Sequence, residues 1–183
     1  PNALSTILSS LPRNFPVPIL IVQHMPKLFT RSLAESLDRK TSISVIEAQN
    51  GTIVKPGTAY IAPGGQQMKI FKCTDNNLVK IELTDDPPEQ YCKPSANYLF
   101  RSVARIFKER ALGVILTGMG SDGILGLKLM KRQGAFIIGQ DQTTSIVYGM
   151  PREAFKAGVV DIQLPIQDIV PEIINRTKTK SSQ

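Results

Sequence analysis

Gly113-Val114-Ile115-Leu116-Thr117-Gly118-Met119-Gly120-Ser121-Asp122-Gly123 reads as a strand that runs into a glycine turn. The apolar run Val114-Ile115-Leu116 enters the loop, and a helical pattern leaves it at Ile124, Leu125, Leu127, Leu129 and Met130. In open α/β sheets, a turn of this kind at the carboxyl end of a strand is where ligands and chemistry sit. The glycines fall as Gly118-x-Gly120-x-x-Gly123, and Asp141 follows the next apolar strand, as in a dinucleotide-binding fingerprint. Asp122 argues against that reading. A carboxylate at a helix N-terminus competes for the N–H groups that a pyrophosphate would use. Taken alone, Asp122 is an N-cap for the helix that starts at Ile124.

Upstream, Ile19-Leu20-Ile21-Val22 is apolar at every position, which suits a parallel strand buried on both faces. It ends in Gln23-His24-Met25-Pro26, and His24 is the single histidine of the chain. His24 and Asp122 therefore both stand at the carboxyl ends of buried strands. Adjacent parallel strands lie about 4.8 Å apart, so their loops can touch. A carboxylate that accepts from one ring nitrogen fixes the tautomer and leaves the other nitrogen as a base.

The rest of the chain alternates. Helices are expected over residues 2–11, over 29–39 with Ser32 and Glu35 at capping-box spacing, and over 96–108 behind a Ser95 cap. Further helices are expected from Pro151 to Gly158 and over 166–176, with strands over 43–47, 136–139 and 159–163. The turn signals Asn50-Gly51, Pro56-Gly57 and Pro63-Gly64-Gly65 separate short alternating runs at 58–62, 68–71 and 78–83, read as hairpin strands. The order predicts an α/β domain with a mostly parallel sheet and an antiparallel hairpin region near residues 56–84.

Composition narrows the function classes. The net charge of +7 suits an acidic partner, but aromatics are only 6% and Trp is absent, so base-stacking platforms are scarce and nucleic acid is not expected. No apolar run approaches the roughly 20 residues needed to span a bilayer. The start, Pro1-Asn2-Ala3-Leu4, lacks the basic region of a secretory leader and an initiator Met, so a fragment or processed piece is expected. Cys73 and Cys92 make no metal pattern, and reduced thiols of a cytoplasmic protein are expected. No cofactor and no metal is expected. The acids Asp85, Asp86 and Glu89 read as a solvated Pro-rich loop, and residues from about 177 to 183 as a basic tail. A nucleophile is the gap. Ser9 and Ser10 are at a helix end, Ser121 adjoins Asp122, and Ser145 is in a loop. None follows a strand-to-helix elbow, and the one place for such an elbow lies before Asn2.

Taken together, five runs resemble the catalytic domain of the chemotaxis protein-glutamate methylesterases. They are Ile21-Val22-Gln23-His24-Met25-Pro26 with Phe29-Thr30-Arg31-Ser32; Pro56-Gly57 with Tyr60-Ile61-Ala62-Pro63-Gly64; Lys93-Pro94-Ser95 with Leu99-Phe100-Arg101-Ser102; the run 113–123; and Val147-Tyr148-Gly149-Met150-Pro151-Arg152-Glu153-Ala154. The resemblance implies a single catalytic domain over 1–183, with a doubly wound sheet and helices on both faces. It implies hydrolysis of glutamate γ-methyl esters on chemoreceptor helices, with release of methanol, and glutamine deamidation as a companion activity. His24 would be the general base, Asp122 its orienting acid, and the Met119 amide an oxyanion donor. The family's serine stands in a Ser-Thr-Gly-Gly run directly before the position of Pro1, so the chain alone is expected to be inactive. A receiver domain, the chemotaxis kinase and methyl-accepting receptors are the implied partners, with no membrane insertion. Asn97 and Lys93 depart from the Asp and Arg usual at those places. The competing readings are a non-catalytic receptor- or kinase-binding domain and the dinucleotide-binding domain.

Overall fold

The computed structural model describes residues 2–180. Strand β1 (Ile19–Ile21), β2 (Ser44–Glu47) and β3 (Thr58–Ile61) form a parallel sheet in the order β1-β3-β2. Strand β4 (Gln67–Lys72) and β5 (Val79–Thr84) form an antiparallel hairpin, with Met68 opposite Leu83 and Ile70 opposite Ile81. Strand β6 (Leu112–Ile115), β7 (Phe136–Gln140) and β8 (Ile162–Leu164) form a second parallel sheet in that order. The helices are α1 (Asn2–Ser9), α2 (Lys27–Asp38), α3 (Ala96–Phe107), α4 (Ile124–Arg132), α5 (Met150–Lys156) and α6 (Ile166–Lys180).

Both faces of the parallel strands are covered, as the all-apolar strands require. Ala59 and Ile61 of β3 and Ile138 of β7 pack with Leu8 of α1, Leu37 of α2 and Ile169 of α6. On the other side, Ile115 and Ile137 pack with Leu127 and Met130 of α4 and Ala154 of α5. Tyr60 faces away from its neighbours Ala59 and Ile61, into a third cluster with Met68, Ile70, Ile81 and Leu99. Leu127 and Ile137 are fully buried, each worth roughly 1.5–3 kcal/mol against exposure.

Several boundaries differ from the sequence reading. Residues 58–62 were expected in a hairpin with one wet face, yet β3 is the central strand of a parallel sheet. The run carries no charge, and Ala59, Tyr60 and Ile61 are all buried, so its alternation is one of size rather than of polarity. Only β4 and β5 are hairpin strands. Helix α2 starts at Lys27, behind Pro26, which puts Ser32 and Glu35 inside it. Glu35 instead pairs with Arg31 at 3.2 Å. The last strand runs later than expected, over Ile162–Leu164, because Asp161 turns its carboxylate to accept from the Ile137 amide at 2.8 Å. Helix α6 continues through the expected tail to Lys180, with Thr177 buried; residues 181–183 lie outside the described ones.

Candidate active site

The 113–123 stretch folds as its glycines demand. Gly120 and Gly123 take φ of 87° and 92°, the left-handed region that glycine enters without strain. Gly123 is the residue before α4, and its turn rotates Asp122 away from that helix. The expected N-cap on α4 therefore does not form. The Asp122 carboxylate instead sits at the N-terminus of α3. Its Oδ2 accepts from the Ala96 amide at 2.6 Å, and its Oδ1 from the Asn97 amide at 3.2 Å, the Gly123 amide at 2.8 Å and the Ser95 hydroxyl at 2.7 Å. Ser95, expected as the side-chain cap of α3, stands at the capping position but makes no capping bond; it donates to Asp122, which takes the helix amides in its place.

His24 follows β1 and meets this carboxylate. Its Nε2 lies 2.7 Å from Asp122 Oδ2. The Asp122 side chain is 2% exposed and that of His24 31%. Burial alone would push the Asp122 pKa up. The hydrogen bonds from His24, Ser95, Ala96 and Asn97 outweigh it and hold the carboxyl below its ordinary value. An ionised Asp122 accepts only, so the proton of the pair sits on Nε2 and the Nδ1 lone pair is left for proton transfer. The loop that carries His24 is clamped from behind. A Cβ on Gly64 would stand 2.5 Å from Met25 O, Pro26 C and Lys27 N, so only glycine permits this approach. The Gly64 amide donates to Thr30 Oγ1, which donates to Glu47.

The expectation that the two strands adjoin fails. β1 and β6 each stand at the end of their own sheet. Between them runs an apolar cavity of about 460 Å³, lined by Leu8, Ile21, Val114, Leu116 and Ile173, with His24 and Gly118 among its walls. His24 and Asp122 meet across this slot because α3 holds the acid forward of β6.

The other candidates are placed as follows. Met119 is 82% exposed, and its amide donates to nothing among the described residues. The Ser121 hydroxyl turns from Asp122 and donates to Gln90 at 3.0 Å, and the Ser145 hydroxyl donates to the Asp141 carbonyl at 2.6 Å. Ser10, just past α1, donates back to the Thr6 carbonyl of that helix. Among the described residues no serine hydroxyl hydrogen-bonds His24. Asp85 and Asp86 of the 85–94 loop are exposed to solvent, as expected, and the loop's acids are also paired: Asp85 with Lys93, Asp86 with the Tyr98 hydroxyl, and the half-buried Glu89 with Arg101. The dinucleotide reading loses both its supports. The Gly123 amide is taken by Asp122, and Asp141 closes its own turn by accepting from the Thr144 amide and hydroxyl. Sequence reasoning missed three neighbours of the pair: Ser95, the α3 amides and Cys92. A serine opening a predicted helix was the one legible signal.

A buried-strand α/β domain with a carboxylate-held histidine at its strand ends offers the kind of base–acid pair that hydrolases use. The comparisons narrow the class: the chain belongs to the CheB methylesterase family, whose profile matches residues 1–173. It is 51% identical over 178 residues to a protein-glutamate methylesterase/protein-glutamine glutaminase of Desulfotalea psychrophila, covering 97% of this chain and 49% of that protein. A relative of the same description from Moorella thermoacetica is 47% identical, over 95% of this chain and 41% of its own length. The chain thus spans about half, or less, of the length of these relatives. Among solved structures, the CheB methylesterase catalytic domain of Thermotoga maritima superposes with a TM-score of 0.91 at 38% identity, covering 95% of this chain and 91% of that one. No described helix is long and apolar enough to cross a membrane.

Proposed function

We propose that this domain hydrolyses γ-methyl esters of glutamate side chains on cytoplasmic chemoreceptor helices, and deamidates glutamine at such sites, by a Ser-His-Asp mechanism. The observation that carries the reading is the 2.7 Å contact between His24 and a buried Asp122 beside the apolar slot between β1 and β6. On this reading a further parallel strand leads into α1 and lies in the slot, joined to β1 by a right-handed crossover. Its carboxyl end would lie beside His24. A serine at that end is the nucleophile.

The steps of this reading use the residues in named roles. His24 Nδ1 takes the serine proton as the oxygen attacks the ester carbonyl. Negative charge collects on the carbonyl oxygen, and the unpaired Met119 amide donates to it. Asp122 balances the imidazolium without taking its proton. The C–O bond to the methyl group's oxygen breaks, His24 returns the proton, and methanol leaves. Water then attacks the acyl-enzyme by the same route and frees the glutamate. With glutamine the leaving group is ammonia.

The test is methanol release from methylated receptor fragments. This chain extended upstream through the expected serine should be active, and the same protein with His24→Gln should lose at least about a thousandfold. Methanol release by the His24→Gln protein at the parent rate would remove the Ser-His-Asp mechanism, and no release by the extended parent protein would leave a binding domain. A receiver domain and the chemotaxis kinase are the partners that this reading brings with it.

A further inference from the structure

The fold brings a third ligand-type side chain to the pair. Cys92 sits on the 85–94 loop, which Lys93–Asp85 and Arg101–Glu89 tie down. Its backbone is held by paired bonds with Glu89, at 2.8 and 3.0 Å, while its half-buried thiol remains unoxidised. One ligand atom from each of His24, Cys92 and Asp122 lies within 4.8 Å of the other two.

We propose that these three side chains bind a thiophilic divalent cation, Zn²⁺ by their chemistry, and that the ion switches the site off. Sulfur, imidazole nitrogen and carboxylate oxygen form a donor set that suits zinc and disfavours Mg²⁺ and Ca²⁺. Zinc–ligand lengths of about 2.0–2.3 Å in a tetrahedron separate the ligand atoms by about 3.3–3.6 Å. The His24–Asp122 contact must open from 2.7 Å by about half an ångström, and the Cys92 sulfur, within 4.8 Å of both, must close in by at most about an ångström. Side-chain rotation supplies both. One thiolate and one carboxylate neutralise the ion. The fourth position faces solvent on the exposed side of His24.

Binding balances as Zn²⁺ plus the Cys92 thiol giving a zinc thiolate and one proton released to solvent. Asp122 is already ionised, and the His24 proton shifts from Nε2 to Nδ1, so that the neutral ring offers its Nε2 lone pair to the ion. The ion then occupies an imidazole lone pair and draws Asp122 away from its orienting position. Metal binding itself does not depend on the proposed hydrolysis; only the inhibitory consequence rests on that reading.

The probes are Zn²⁺ by calorimetry and Cd²⁺ by its thiolate charge-transfer absorption, on the protein extended upstream as above. One ion per protein at micromolar affinity is expected, with a charge-transfer band that Zn²⁺ abolishes and excess Mg²⁺ does not. Cys92→Ser should lose the band and at least tenfold in Zn²⁺ affinity, and His24→Gln should lose affinity likewise. Cys73→Ser, which alters the thiol of the β4–β5 turn, should keep both. Zn²⁺ should suppress methanol release by the parent protein relative to its own metal-free rate, and suppress that of Cys92→Ser at least tenfold less. Unfolding curves of each variant check that it is folded. A band that survives Cys92→Ser, or Zn²⁺ affinity unchanged by it, overturns the site. Zinc binding with no methanol release by the metal-free protein would retain the site and remove the esterase reading.

Discussion

Replacing Asp122 by Asn isolates what the buried charge does. The side chains are the same size, so the change is one of hydrogen-bond sense. The carboxylate now accepts from five donors: the Ser95 hydroxyl, the amides of Ala96, Asn97 and Gly123, and His24 Nε2. An Asn must put its NH₂ at one of the two oxygen positions. At Oδ1 it would orphan two buried backbone amides, Asn97 and Gly123. At Oδ2 it orphans one, Ala96, and faces the imidazole with a donor. The second placement is the cheaper. An unpaired buried amide costs about 1–3 kcal/mol, and the lost charge-assisted bonds add to it, so a total near 3 kcal/mol is expected. For a domain of this size that lowers the unfolding midpoint by roughly 6–12 °C. The same placement forces His24 to the other tautomer, with Nε2 accepting and the proton on Nδ1, where it blocks the base. Such a change in a Ser-His-Asp hydrolase costs about 10⁴ in kcat. Nitrogen NMR of the imidazole reads the tautomer, thermal unfolding reads the stability, and methanol release reads the rate. An Asp122→Asn protein with an unmoved midpoint and an Nε2-protonated ring would refute the account of the buried carboxylate.

Three further outcomes follow from other contacts. Because the Asp122 pKa is held below its unfolded value near 3.9, its contribution to stability is fully present above that value and is lost as pH falls through the folded pKa; unfolding midpoints between about pH 2 and 6 should slope less in Asp122→Asn than in the parent. Gly64→Ala puts a methyl 2.5 Å from three backbone atoms of residues 25–27, which cannot rotate away, so a loss of about 1–3 kcal/mol and a shifted His24 resonance are expected. Ser95→Ala removes a fully buried bond of 2.7 Å to the carboxylate, and should cost about 1.5–3 kcal/mol by denaturant unfolding and raise the pH at which Asp122 titrates.

What the sequence made legible was set by period and punctuation. The all-apolar runs at Ile19 and Val114 announced buried parallel strands, and Pro26, Gly123 and Gly134 marked where they and their helices turn. His24 and Asp122 could be paired on paper because both follow such runs. The errors came where local pattern is blind to partners. Thr58-Ala59-Tyr60-Ile61 looks alike in a hairpin and in a parallel sheet, and only its position between β1 and β2 decides. Asp122 sits beside the start of α4 in sequence, yet it serves α3, whose amides come from residues 96 and 97. Cys92 carried no metal spacing because its neighbours His24 and Asp122 are brought in by two other loops.

The placement of the acid bears on how the site is completed. Four of the five donors to Asp122 come from residues 95–97 and 123, and the fifth is His24 itself. None of the four belongs to a strand, and only Ala96 also lines the slot, from the α3 side. The N-terminus of α3 adds a favourable partial charge. The His24 loop is fixed from its far side, by Gly64 and the Thr30–Glu47 contact. Under the proposed mechanism, a serine brought to His24 would therefore meet a base already held in one tautomer. Orientation settled before the nucleophile arrives is barrier that the chemical step does not have to climb. The same rigidity explains why the fold can carry an exposed, nitrogen-open histidine at all. Its ring is held by a carboxylate that also caps the start of α3, so the geometry of the His24–Asp122 pair is maintained by the stability of the fold.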